Sequence, residues 1–429
     1  MKKIVSLALV LAMLFSMSGC SKKEEPAQAP ADPNAQSAEL SGKVTVWSWD
    51  VAAKSLEEAA VDFNKIHPNV EIVVEDLGTD QVYDKLTTRL ASKTGLPDVV
   101  TMEGERVQTF ASKFPEGFAD VSEYVNEDDF LPVKISEVTS NGKIVGFPWD
   151  GAPTGLFYRA DLFEQAGIKA EDIKTWDDLI VAGKKMEAIG VKMMPLAAST
   201  NPTFFGMLYE QTGSYFFDID GNSALNTENG LKAANTLKKL YDSGITYDSM
   251  DWDGLVTATK EGKIATVPSA VWWAGTLVDE VTESAGQWKV MALPVIEEGL
   301  DFVAVNGGSN VLIPNDAPNK AAAIEFVKFA MTDVKTQINA FDKYGLYPSY
   351  KPAYADPVFD EELEYFGGQK VWRFFADESG SIPKINYTEN FDQAIDQIKD
   401  AQARITLKGA DVKTTLDELQ NTFVSTFGK

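Results

Sequence analysis

Residues 42–74 read GKVTVWSWDVAAKSLEEAAVDFNKIHPNVEIVV. Residues 44–49 are rich in β-branched and aromatic side chains and alternate in polarity, as a half-buried strand does. Residues 52–66 then space Leu56, Ala60, Phe63 and Ile66 for one face of a helix, which has to stop before Pro68. A second strand is expected over 70–74, a helix over 82–90 presenting Val82, Leu86 and Leu90, and a third strand over 98–102 after Gly95 and Pro97. Strand, helix, strand, helix, strand is the rhythm of an α/β parallel sheet with helices on its faces. Ligands of such open sheets bind beyond the carboxyl ends of the strands. Those ends carry Trp47, Trp49 and Asp50 after the first strand, and Glu103 and Gly104 after the third.

Further along, Asn141, Gly142 and Lys143 form a turn before a strand at 144–147. Strands are expected near 155–158 and 263–267, extended segments at 290–294 and 303–314, and helices over 161–166, 176–189, 230–243, 319–331, 391–407 and 411–427. One hydrophobic core rarely serves more than about 250–300 residues, so a chain of 429 predicts two lobes.

Composition removes several function classes. Lys plus Arg is 39 against 64 for Asp plus Glu, a formal charge of −25, the opposite of what a nucleic-acid binder needs. With one cysteine and one histidine, neither a disulfide framework nor a His-based zinc or catalytic triad is expected, and no cofactor or metal is called for. The one cysteine, Cys20, follows Lys2, Lys3, an apolar run over 4–15 and the small residues Ser18 and Gly19, the layout of a secretory signal peptide ending in a lipidation site. The apolar run is shorter than the roughly 20 residues of a membrane span. Residues 21–41 are almost devoid of apolar side chains and read as a flexible tether.

Sugar rings stack on indoles and phenols while their hydroxyls need charged or amide partners, so tryptophans beside carboxylates suggest a carbohydrate site. The chain offers Trp47, Trp49 and Asp50; Trp149 and Asp150; Trp252 and Asp253; and Trp272 with Trp273. Trp176, followed by Asp177 and Asp178, reads instead as a helix start. The same chemistry admits an organic cation such as a polyamine, and Asp50, Glu103 and Asp150 are residue types that a glycoside hydrolase also uses.

Residues 95–99 (GLPDV), 141–157 (NGKIVGFPWDGAPTGLF) with Tyr158, Leu162, Phe163, Ala166 and Gly167, 175–179 (TWDDL), 260–267 (KEGKIATV), 292–294 (ALP), 307–309 (GGS), 321–329 (AAAIEFVKF) and 345–348 (GLYP) follow one another in an order that resembles the extracellular solute-binding proteins of family 1, and within that family the arabinose- and arabino-oligosaccharide-type receptors. The resemblance implies a two-lobed, periplasmic-binding-protein-like α/β fold of the Venus-flytrap type, each lobe a sheet flanked by helices, with three hinge crossings near 147–151, 299–305 and 344–347. Lobe 1 is expected to comprise 42–147 and 303–343 and lobe 2 148–302 and 344–429, behind a signal peptide (1–19) and a lipidated tether (20–41). It further implies a monomeric ABC-importer component without catalysis, closing on a mono- or oligosaccharide and handing it to a permease. An anchor at Cys20 with no disulfide framework fits the outer face of a Gram-positive cell membrane, with a Gram-negative inner membrane the alternative. The ligand set it suggests is Trp47, Trp49, Asp50, Glu103, Gly307, Gly308 and Ser309 on one side, and Trp149, Asp150, Trp272, Trp273 and Tyr347 on the other.

Overall fold

The computed structural model describes residues 39–428 apart from Ile219 and Met250. Cys20, the signal peptide and most of the tether lie outside the described residues. Among the described residues no helix is long and apolar enough to cross a membrane.

The strand Gly42–Ser48 pairs in parallel with Val70–Asp76 on one side and with Val99–Glu103 on the other. The helix Asp50–Ile66 joins the first two, burying Ala52, Leu56, Ala60 and Phe63 as its period requires. Ile66, expected on that face, is exposed in the last turn. The chain then leaves this sheet and comes back: Ser309–Leu312 pairs antiparallel with Val99–Glu103, placing Ser309 opposite Glu103, and antiparallel with Gly146–Pro148 on its other edge. The resulting five-stranded sheet carries two apolar layers, one including Val44, Phe63, Phe147, Trp149 and Phe326, the other including Trp47, Val82, Leu86 and Met102.

The second lobe is built on a three-stranded antiparallel sheet in which Thr154–Arg159 lies between Thr266–Ala270 and Trp288–Met291. Its helix Trp176–Glu187 begins as Trp176 suggested: Thr175 accepts from Asp178 N while the Asp178 carboxylate accepts from Thr175 N, a capping box. The closing helices Phe391–Thr406 and Val412–Phe427 fall almost where their periodicity put them and pack on this lobe's larger core through Ile398, Ile405, Leu416 and Phe423.

Three segments run side by side where the lobes meet. Gly151 N donates to Tyr347 O at 2.7 Å and Ser349 N to Trp149 O at 2.8 Å, while Thr154 N donates to Ala304 O at 3.0 Å and Asn306 N to Ala152 O at 3.1 Å. A buried polar clasp sits beside them. Lys134, on the helix Pro132–Val138, pairs with Glu137 one turn on, and Glu137 Oε2 also accepts from Asn310 Nδ2 at 2.9 Å. Asp150 Oδ1 accepts from Ser309 N at 2.7 Å.

Backbone closeness makes this clasp possible. A Cβ on Gly104 would lie 2.2 Å from the Glu137 carboxylate, and one on Gly308, whose φ is +101°, would meet Asp150 O at 2.6 Å and Lys134 Nζ at 3.2 Å. Gly308→Ala is therefore expected to cost about 1–3 kcal/mol in denaturant unfolding. Gly275→Ala, in the helix Trp273–Glu280 with open space around its Cβ, should be neutral or stabilise by up to about 1 kcal/mol.

Burial pushes the Asp150 carboxyl up to about 6 from 3.8, with Lys134 and the Ser309 amide opposing the rise. A carboxyl raised in the folded state binds its proton more tightly there than in the unfolded chain. Its stabilising contribution is full below the unfolded value and is lost as pH rises through about 6. Urea unfolding of the protein and of Asp150→Asn from about pH 4 to about pH 7 should show the wild type losing ground to the variant over that range. A pH-independent difference would refute the assignment.

Candidate functional site

The carboxyl ends of the parallel strands carry the first wall. Trp49, half-buried after the first strand, meets Tyr83 edge-on with ring centroids 6.0 Å apart. Tyr83 O–H donates to Glu103 Oε2 at 3.0 Å, and Glu103 N donates to the Tyr83 oxygen at 3.1 Å. Burial and the Glu103 charge push the Tyr83 phenol up, so it remains a donor near neutral pH. The Arg106 guanidinium lies 5.5 Å from the centre of the Tyr83 ring and pairs with Asp392 on the helix Phe391–Thr406 of the other lobe. Glu105, next to Arg106 in the first turn of the helix Gly104–Lys113, is held up to about 7 by burial first and by the Glu103 charge second.

Two cavities adjoin one another across Asn201, Thr203 and Asn306. One, about 310 Å³, is lined by Glu105, Glu210, Tyr215, Tyr387 and Gly307. Glu210 is buried; its Oε2 accepts from Val305 N at 2.7 Å, and burial drives its carboxyl well above the usual range. The other, about 290 Å³, is lined by Phe204, Asp251, Trp252, Leu255, Pro268 and Trp272. Trp272 N–H donates to Asn306 O at 2.8 Å, which fixes the indole at the junction of the two cavities. Trp252 is 46% exposed and stands 5.9 Å from Trp272, centroid to centroid. Its helix, Trp252–Lys260, is started by Asp251, whose carboxylate accepts from Gly254 N at 2.8 Å. Apolar ring faces in one cavity and carboxylate and phenol oxygens in the next suit a ligand that is both ringed and rich in hydroxyls. Among the described residues no cluster of His, Cys, Asp and Glu has the arrangement to hold a metal ion.

The expected site residues divide. Trp272 and Gly307 line the cavities, and Glu103 and Trp49 stand in the wall next to Glu105. Gly308, Ser309 and Asp150 shape the hinge clasp. Asp50 is exposed, with φ +43° at the start of its helix, its amide donating to Asp76 Oδ1 at 2.9 Å.

Four aromatic expectations are corrected by burial. Trp149, Trp273 and Tyr347 are 1%, 0% and 1% exposed and enclosed by core side chains, so their rings have no free face on which a sugar could stack. Tyr347 spends its hydroxyl on Trp372 O at 3.2 Å. Trp47 packs beneath the helix Thr79–Ser92 with Lys85 Nζ 4.3 Å from its ring centre.

Several cavity residues were not singled out from sequence: Glu105, Asn201, Glu210, Tyr215, Asn306 and Tyr387. Glu105 and Asn306 lie within two residues of Glu103 and Gly307, so widening those two positions would have caught them. The others come from segments with no local signature.

The model of the bacterial extracellular solute-binding protein family matches residues 48–336. The lactose-binding protein of Rhizobium radiobacter is 29% identical over 394 residues, which cover 90% of this chain and 93% of that protein. The arabinooligosaccharide-binding protein of Bacillus subtilis (strain 168) is 26% identical over 419 residues, 93% of each. Among solved structures, the sugar-binding protein MalE of Xanthomonas citri superposes with a TM-score of 0.77 at 18% identity, covering 89% of this chain and 96% of that one, which shows a common fold. With its two lobes, its three adjacent crossings and a family match over most of its length, this chain belongs to the bacterial extracellular solute-binding protein family.

Proposed function

We propose that the chain is the carbohydrate-capturing component of an ABC importer, holding a sugar between its lobes and performing no chemistry on it. One observation carries the reading: the paired indoles of Trp252 and Trp272 open into a cavity that continues into one lined by Glu105, Glu210, Tyr215 and Tyr387. Stacking faces and hydroxyl acceptors are thus contiguous. Relatives named for lactose and for arabinooligosaccharides support the same ligand class over a polyamine. Lobe 1 is assigned to 42–147 and 303–343 and lobe 2 to 148–302 and 344–429, in keeping with the two sheets and their cores. Anchoring through a lipid on Cys20, a monomeric state and delivery to a permease complete the proposal.

A sugar favours the closed form only by contacting both lobes, since a ligand shifts a conformational equilibrium by its differential affinity. Glu105 comes from the lobe of the five-stranded sheet, Trp252 and Trp272 from the other. Titration with neutral saccharides, followed by tryptophan fluorescence and calorimetry, is expected to show saturable binding of at least one glycan class and none of spermidine. The reverse pattern would overturn the proposal.

Trp252→Ala should weaken the best saccharide at least about tenfold, equivalent to about 1.4 kcal/mol, with a smaller effect on unfolding. Trp149→Ala should do the opposite. Emptying that core site is expected to cost about 3–5 kcal/mol of stability, with affinity largely kept in whatever fraction folds.

A further inference from the structure

Resting on the carbohydrate reading above, we propose that Gln402 is a positioning residue for the ligand site. It touches no ligand itself. From behind the wall it fixes residues 197–201 and so places Asn201, which lines both cavities, against a sugar oxygen.

The loop needs such a hold. Residues 196–202 belong to no strand or helix, yet they join the strand Met194–Pro195 to the helix Thr203–Glu210 along the edge of both cavities. Backbone carbonyls outside regular structure have to find side-chain or water donors. Three of these carbonyls find them on one helix. Gln402 Nε2 donates to Ala197 O at 2.7 Å and to Asn201 O at 3.1 Å, and Thr406 Oγ1 donates to Ala198 O at 2.9 Å. Gln402 and Thr406 are buried, so bulk water competes little for these bonds.

The Gln402 amide serves the loop at its own expense. With Nε2 on two loop carbonyls, its Oε1 is buried without a hydrogen-bond partner among the described residues. Turning the amide over would set Oε1 against two carbonyl oxygens, so neither orientation satisfies the side chain fully. An apolar residue of similar size would avoid that cost if packing were all this position required.

Placement on the helix Phe391–Thr406 connects the hold to the site. Phe391, Ile395 and Lys399 line the polar cavity at intervals of four residues, and Gln402 and Thr406 continue the same face. One helix face thus forms part of the cavity wall and grips the loop beside it. Asn201 carries the effect forward. Its Oδ1 accepts from Thr203 N at 2.8 Å and from the Thr203 hydroxyl, which sets the direction of its side-chain amide. Nδ2 is then the group that Asn201 offers a ligand, and a sugar ring oxygen, which carries no hydrogen, needs a donor of this kind.

A double-mutant cycle with a matched control tests the proposal. It is read by calorimetry on the full chain, with whichever of lactose, maltose, cellobiose and arabinobiose binds the wild type tightest. Gln402→Met keeps most of the side-chain volume, removes the donors and should weaken binding about tenfold in protein that circular dichroism shows to be folded. Asn201→Ala should weaken it by a similar factor, and the double variant no more than the stronger single one, because Gln402 acts through Asn201. Gln337 supplies the control. Also buried, in the helix Val334–Tyr344 that packs against the helix Asp50–Ile66, it donates to Ala330 O at 2.7 Å and lines neither cavity. Gln337→Met should lower stability toward urea as Gln402→Met does, with affinity kept within about twofold. If Gln402→Met does not fold, Thr406→Val takes its place in the cycle, and removing that single tie should weaken binding about threefold. Wild-type affinity in the Gln402 variant or its replacement, an equal loss in Gln337→Met, or two losses that multiply in the double variant each overturn the positioning role and leave the carbohydrate reading standing. A wild type silent toward all four sugars overturns this inference and the proposed function together.

Discussion

An ammonium and a carboxylate removed from water tolerate little misplacement, and the buried pair of Lys134 and Glu137 sets the geometry of everything around the hinge. Losing hydration costs several kcal/mol per ion, offset only when the pair is close and its remaining lone pairs and protons are satisfied. Glu137 meets this condition with Asn310 from the returning strand, and Asp150, next to Lys134, accepts from the Ser309 amide of the same strand. The clasp thus ties a helix of the first lobe to the outgoing crossing and to the strand on which the chain comes back. Gly104 and Gly308 follow from it, since a side chain at either would strike the atoms that satisfy the charges. A clasp that tolerates no slack gives the crossings a fixed register, and motion of the lobes is left to the backbone on either side of it.

The same register orders the cleft. Ser309 stands opposite Glu103, and Gly104 N donates to Gly308 O at 3.0 Å, so the loop at 306–308 is bound to the end of the third parallel strand. From there Asn306 reaches across to the Trp272 indole. The hinge and the carboxylate wall are linked by backbone hydrogen bonds, and the aromatic wall joins them through the Trp272 indole N–H on the Asn306 carbonyl, which keeps the distances between them short and definite.

How far this was legible in the sequence depended on whether a residue's direction was encoded locally. The parallel strands, the helix Asp50–Ile66 and the two closing helices have strong periods and appear where those periods put them. The helix Thr203–Glu210 was invisible because TFFGMLYE is apolar on nearly every face and is buried accordingly, leaving no period to read. The tryptophans show the limit of adjacency. Neighbours in extended backbone point to opposite sides, so Trp149 enters the core while Asp150 turns to the clasp. Trp272 and Trp273, in helical backbone at a helix start, point about 100° apart and so divide between cavity and core. A Trp–Asp pair signals a boundary between core and polar surface without saying which partner faces the ligand. Tyr215 and Tyr387 converge with Glu105 from segments far apart in the chain, and such convergence leaves no trace in local sequence.

The unequal walls bear on what drives closure. On the proposed reading a sugar lies on Trp252 and Trp272, and because both belong to one lobe it gains that contact whether or not the lobes have come together. Contacts present in both states strengthen binding without shifting the equilibrium. Among the residues described here as lining the two cavities, Glu105 is the one from the helices of the five-stranded sheet, so its contact with the ligand is made only when that lobe is near. The Arg106–Asp392 pair also bridges the lobes; it is partly exposed, where ion pairs contribute about 0–1 kcal/mol. On the proposed reading, the aromatic wall sets how tightly a glycan is held, Glu105 from the other lobe supplies a contact that favours closure, and the Arg106–Asp392 pair adds little to either.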